Sequence, residues 1–103
     1  MTNSLTIHIT TQELCEHMNI STEVICEIVE HGIVTPEGQS PNDWQFAPAL
    51  VSITRRATRL HRDLGIDWSG VALILDLLEE RDNLKSENAM LRQRLARFLT
   101  DEW

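Results

Sequence analysis

Between Met1 and Thr54 the chain has no lysine and no arginine. The same stretch carries Glu13, Glu16, Glu23, Glu27, Glu30, Glu37 and Asp43, so the whole net charge of −7 resides there. From Arg55 onward nine basic and nine acidic residues cancel, the pattern of solvent-exposed helices. Long apolar runs are also missing. The longest, about Val71 to Leu75, falls far short of the ~20 residues that a membrane span requires. Met1 to Ile9 has neither a basic residue nor a long apolar core, which argues against a signal peptide. Two cysteines, Cys15 and Cys26, are too few for a disulfide scaffold, so a reduced, cytoplasmic protein is expected. With four glycines and three prolines there is no glycine-rich phosphate loop, nor is there a serine nucleophile with an attendant base. No enzyme activity is expected.

What is present suits one ordered domain with a helical extension. Apolar residues make up 42% and charged residues 24% of 103 positions. Leu5 to Ile9 alternates and predicts a short strand. Thr10 with Glu13 three residues on predicts a capping box opening a helix to about Met18. Asn19 supplies a left-handed turn, and Ser21 caps a second helix through His31, closed by Gly32. Two short helices so joined form a helix-turn-helix. Ile33–Pro36 and Trp44–Phe46 flank a turn at Glu37 to Asp43 and predict a β-hairpin wing. Pro48 opens a third helix ending near Leu64–Gly65, and Asp67 caps a last one from Trp68 to about Leu99.

That last helix carries a heptad pattern. Leu77, Leu84, Leu91 and Phe98 are spaced by seven and occupy d, which puts Ile74, Arg81, Asn88 and Leu95 at a. These eight residues are the expected dimerisation seam. Glu80 and Glu87 at g, with Lys85 and Arg92 at e, favour a parallel pair. The alternative to dimerisation is a long amphipathic helix folded back on its own domain. The expected fold is therefore mainly α, an acidic winged helix-turn-helix at 1–47 followed by a helical connector with a dimerisation helix at 48–103.

In this order the elements resemble the MerR superfamily of dimeric transcription regulators. Glu30–His31–Gly32–Ile33–Val34 looks like that family's link from recognition helix to wing, and Trp44 and Phe46 look like its wing aromatics. Two departures matter. Where the family has an arginine in the second helix this chain has Cys26 beside Glu27, and between the wing aromatics it has Gln45. Glu23, Glu27 and Glu30 share one helical face opposite Val24, Ile25, Ile28 and Val29. Strong DNA binders neutralise roughly 6–10 phosphates with Lys and Arg. Residues 1–54 offer no such side chain, and no direct DNA binding is expected.

A narrower resemblance is to the CbpM family of chaperone modulators. Its carrying residues are Ala57, Arg59–Leu60, Leu64, Asp67–Trp68, Gly70 and Ala72, then Leu84–Lys85, Glu87–Asn88, Leu91–Leu95 and Arg97–Phe98. Glu13, Cys15 and Glu27–Val29 add to them in the first half. The resemblance implies an inhibitor of a DnaJ-like co-chaperone of the CbpA type, bound through its J-domain, that restrains both co-chaperone and DNA-binding activity. MerR-type dimers pair their long helices antiparallel, so the orientation stays open. A J-domain's basic helix complements the acidic face, and the expected partner-binding residues are Glu13, Glu16, Glu23, Glu27 and Glu30. An acidic stripe that only aids solubility is the simpler reading of the same residues. A DNA-binding regulator is the alternative function, and a small-ligand or metal sensor the third. Cys15, Cys26, His17 and His31 lack metal-ligand spacing, and no metal or cofactor is expected. The cysteines are expected in the small core. Arg55, Arg56, Arg59 and Arg62 form a basic ridge, either solvated, paired within the dimer, or facing a partner carboxylate.

Overall fold

The computed structural model describes residues 7–101. Its elements run β1 (Ile9–Thr10), α1 (Thr11–Met18), α2 (Thr22–Glu30), β2 (Gln45–Phe46), α3 (Pro48–Leu64) and α4 (Trp68–Asp101). The chain is mainly α-helical, with one two-stranded sheet among the described residues.

Local chemistry sets the helix ends. The Thr10 hydroxyl accepts from the Glu13 amide at 3.1 Å, while the Glu13 carboxylate accepts from the Thr10 amide at 3.0 Å. That reciprocal pair satisfies two donors that the first turn of α1 would leave open. Asn19 then adopts the left-handed conformation, at φ 56. Ser21 accepts from the Val24 amide at 3.3 Å and starts α2. At the far end of α2 the Ile33 amide donates to the Ile28 carbonyl and the Gly32 amide to the Val29 carbonyl, at 3.1 and 3.0 Å. This double closure requires a left-handed residue, and Gly32 supplies it at φ 72.

The strand pairing departs from the expected hairpin. β2 pairs antiparallel with β1, Ile9 opposite Phe46 and Thr10 opposite Gln45. Ile33–Pro36 contributes no strand, and the wing is reduced to one bridge in which Glu37 and Gln45 exchange amide–carbonyl bonds of 3.0 and 2.8 Å. The turn geometry explains the reduction. Gly38 sits at φ 118, where a Cβ would lie 2.7 Å from the Asp43 carbonyl oxygen, so the chain doubles back immediately after Glu37. Of the expected strand at Leu5–Ile9, only Ile9 is in β1, Ile7 and His8 are not, and Leu5 and Thr6 lie outside the described residues.

By its contacts the chain divides into two units, Met1–Ala72 and Leu73–Trp103. The first cation is Arg55, within α3, but the packing boundary comes inside α4. Thr54 and Ala57 of α3 and Trp68 and Val71 of α4 belong to the buried set with Leu14, Ile25, Ile28, Val34 and Phe46. Thr54 is fully buried yet satisfied, its hydroxyl donating to the Leu50 carbonyl at 2.8 Å. In the second unit α4 continues as a single helix to Asp101.

Candidate partner-binding site

The five carboxylates singled out in the sequence are all exposed, and the structure separates them into two groups. On α2, Ile25 and Ile28 are buried at 1% and 0% exposure, which turns Glu23, Glu27 and Glu30 outward on the opposite face. The ring of His31 lies beside this face. Its Nδ1 lies 2.8 Å from the Glu27 carbonyl oxygen and only 3.7 Å from the Glu27 carboxylate. The shorter contact decides its geometry, and a surface ion pair at the longer distance adds little. The α2 face therefore keeps its negative charge.

Glu13 and Glu16 on α1 are held differently. Donation from the Thr10 backbone, followed by the Thr10 side-chain bond, lowers the Glu13 carboxyl below its ordinary range, because both favour the ionised form. Glu16 accepts from Gln12 Nε2 at 3.3 Å. Both line an open cleft of about 530 Å³ with Ile9, His17 and Val51. Glu13 is thus engaged in building α1, whereas the α2 trio has no structural task of that kind.

The arginine ridge on α3 is exposed throughout. Arg55 lies 3.1 Å from His17 Nε2 and Arg62 3.6 Å from its neighbour Asp63, while Arg56 and Arg59 reach no carboxylate among the described residues. Cys15 and Cys26 are half-buried and free, and Cys15 Sγ is 3.8 Å from Thr22 Oγ1. Among the described residues no group of three or more His, Cys, Asp or Glu could hold a metal ion. Trp44 and Phe46 meet edge to face at 6.2 Å, with Phe46 fully buried, so the wing aromatics serve packing.

Within the second unit the seam residues face solvent in the single chain. Leu77, Leu84, Leu91, Leu95 and Phe98 are 54–60% exposed, Arg81 and Asn88 are exposed beside them, and Ile74 is half-buried. Leu77, Glu80, Arg81, Leu84, Lys85 and Asn88 line a shallow groove of about 490 Å³ along one face.

Sequence reasoning passed over a second cavity in the first unit, of about 460 Å³, lined by Ile20, Val24, Thr58, His61, Arg62 and Trp68, with Asn19 at its edge. The His61 and Trp68 rings stack at 4.0 Å with 14° between their planes, and His61 Nδ1 lies 2.7 Å from the Ile66 carbonyl oxygen. The available signal was an Asp-Trp pair opening a helix. Asp67 accepts from the Gly70 amide at 2.8 Å and so fixes where Trp68 enters.

Comparison with known proteins places the chain in a family. Residues 9–93 match the MerR HTH family of regulatory proteins, which covers both helices, the wing, α3 and most of α4. The chaperone modulatory protein CbpM of Pseudomonas putida strain GB-1 is 47% identical over 98 residues, 95% of this chain and 97% of that protein. The chain belongs to the CbpM family of chaperone modulatory proteins. Relatives of the same name in Pseudomonas entomophila strain L48 and Salmonella paratyphi A are 45% and 40% identical, over 95% and 94% of this chain. CbpM membership and the MerR-type fold agree with the expectation from sequence. No described helix is long and apolar enough to cross a membrane.

Proposed function

We propose that this protein is a non-enzymatic, cytoplasmic modulator that binds the J-domain of a DnaJ-like co-chaperone of the CbpA type. Through that contact it inhibits the partner's co-chaperone and DNA-binding activities. The observation that carries this reading is the exposed trio Glu23, Glu27 and Glu30 on α2, with no lysine or arginine anywhere in residues 1–54. A basic helix on the partner is its electrostatic complement, which speeds encounter and makes association salt-sensitive. Glu16 extends the surface on α1. Glu13 adds charge but stays tied to Thr10. The same sign of charge opposes a phosphate backbone, so the helix-turn-helix serves as a protein-binding rather than a DNA-binding element.

The protein acts as a homodimer in this reading. Half-exposed Leu77, Leu84, Leu91, Leu95 and Phe98, with Ile74, Arg81 and Asn88, form the seam between two copies of α4.

The decisive experiment is calorimetric titration of the isolated J-domain into the full chain at two salt concentrations. Replacing Glu23, Glu27 and Glu30 together by Gln removes three exposed charge pairs of about 0.5 kcal/mol each, roughly tenfold in Kd. The salt dependence should flatten in parallel. An unchanged Kd and salt slope in the triple variant would reject the α2 face as the binding surface.

A further inference from the structure

The cavity between α2 and α3 lies beside the acidic face without belonging to it. Val24, on its wall, follows Glu23 and precedes Glu27 by three residues, so it flanks the edge of the trio. Arg62 of the arginine ridge lines the same cavity. Ile20, Val24 and Thr58 are half-buried, and Trp68 is 9% exposed against His61. The lining thus combines half-buried apolar side chains with one exposed arginine, and Glu23 and Glu27 lie within three residues of Val24 on α2.

Its floor is preorganised. The Trp68 ring is fixed by stacking, the His61 ring by its bond to Ile66, and the start of α4 by Asp67 and Gly70. The His61 bond uses Nδ1, and Nε2 has no hydrogen-bond partner among the described residues. A volume of about 460 Å³ exceeds what one water needs and suits a large side chain. Interface energy concentrates where an anchor enters a pocket of this kind, and exposed charges at its rim contribute orientation more than affinity.

We propose that this cavity is the anchor pocket for the J-domain partner. It takes one large apolar or aromatic side chain from a partner helix, with a cation directed to Glu23 and Glu27 and a carboxylate to Arg62. The inference rests on the partner reading above and adds to it residues, Ile20, Val24, Thr58, His61, Arg62 and Trp68, that carry no net negative charge. It converts a broad attraction into a specific register, because an anchored side chain fixes where the partner's charges meet Arg62 and the α2 carboxylates.

The test is binding of the isolated J-domain to full-length Val24→Phe, which plugs the recess and leaves every charge in place. Affinity should fall at least about tenfold with the salt slope preserved, as expected for a lost anchor rather than a lost charge. Arg62→Gln should weaken binding by a smaller factor, about two- to threefold. Amide and indole chemical shifts of the unaltered chain keep the answer independent of either variant's folding. On adding J-domain, Ile20, Val24, Thr58 and the Trp68 indole N–H should move as a group. If those signals stay in place, or Val24→Phe binds within twofold of the unaltered chain while the triple Gln variant is weakened, the pocket assignment fails and the acidic-face reading survives. If the unaltered chain binds no J-domain, both fail together. Shifts of the same signals with protein concentration, and none with J-domain, would assign the recess to a second copy and overturn the proposal.

Discussion

The two units of the chain use similar apolar residues to opposite ends. In Met1–Ala72 the large aliphatic and aromatic side chains of Leu14, Ile25, Ile28, Phe46 and Val71 are each 0–1% exposed. From Leu73 to Thr100 no described residue is buried, although leucines recur at regular spacing. A helix that keeps Leu77, Leu84, Leu91, Leu95 and Phe98 half in water has no core of its own, while the first unit has one. A folded core with its own caps can stand on local packing. From Leu73 on, α4 has none and draws its stability from whatever covers its apolar stripe. The first unit is therefore read as a finished recognition surface and the second as half of an interface.

Removing a core side chain should break the contrast most severely. Phe46→Ala empties the centre of the first unit and should cost about 3–5 kcal/mol, measured by urea unfolding. Its midpoint should not depend on protein concentration beyond that of the unaltered chain. Ile28→Ala is the milder version, at about 2–5 kcal/mol.

The same chemistry applied to the second unit should look different. Leu84→Ala together with Leu91→Ala should shift the protein from dimer to monomer in sedimentation equilibrium, with a midpoint of thermal unfolding that rises with concentration in the unaltered chain. Each buried leucine lost from a seam is worth about 2–5 kcal/mol. An unaltered chain that sediments as a monomer would leave the stripe without its proposed cover and remove the distinction between the two units.

Smaller effects sharpen the boundary between structural and recognition residues. Ser21→Ala removes the cap bond to Val24 and should lower stability by about 1 kcal/mol. A larger share of that loss should appear in α2 amide exchange than in α4. Acidification should weaken the start of α1 by protonating Glu13. The Glu13 carboxyl is lowered in the folded chain, so its contribution is present above the unfolded value and lost as pH falls through the lower folded one. A carboxyl titration by NMR should find Glu13 ionising at lower pH than in the Thr10→Ala variant. Equal midpoints in the two proteins would remove the Thr10 side chain as a cause and leave the backbone amide, which the variant keeps.

The features legible in the sequence are those whose causes lie within a few residues. The Thr10–Glu13 box, the left-handed Asn19, the Ser21 cap, Gly32, Pro48, Gly65 and Asp67 each act over one turn, and the helices begin and end where these residues stand. Pairing across distance was not legible. Ile9 meets Phe46 because the turn at Gly38 brings β2 back over the start of α1, and nothing in the alternation of Leu5–Ile9 carries that information. The site divides in the same way. The spacing of Glu23, Glu27 and Glu30 follows from the helical repeat and is readable directly. The pocket beside them joins Ile20 and Val24 to Thr58, His61 and Trp68, three segments that only tertiary packing collects. Arg55 likewise meets His17 rather than a carboxylate, a contact 38 positions apart.

Thr10 belongs to two elements at once. It closes the short sheet opposite Gln45 and caps the first helix through Glu13. Peeling away the second strand therefore releases the residue that seals the helix beside it. Solvent deuterium should enter the amides of Glu13 and of Phe46, which pairs with Ile9, at matched rates, as members of one opening unit. A partner that pressed against this corner would slow both together, and so could steady the acidic surface without touching every residue on it.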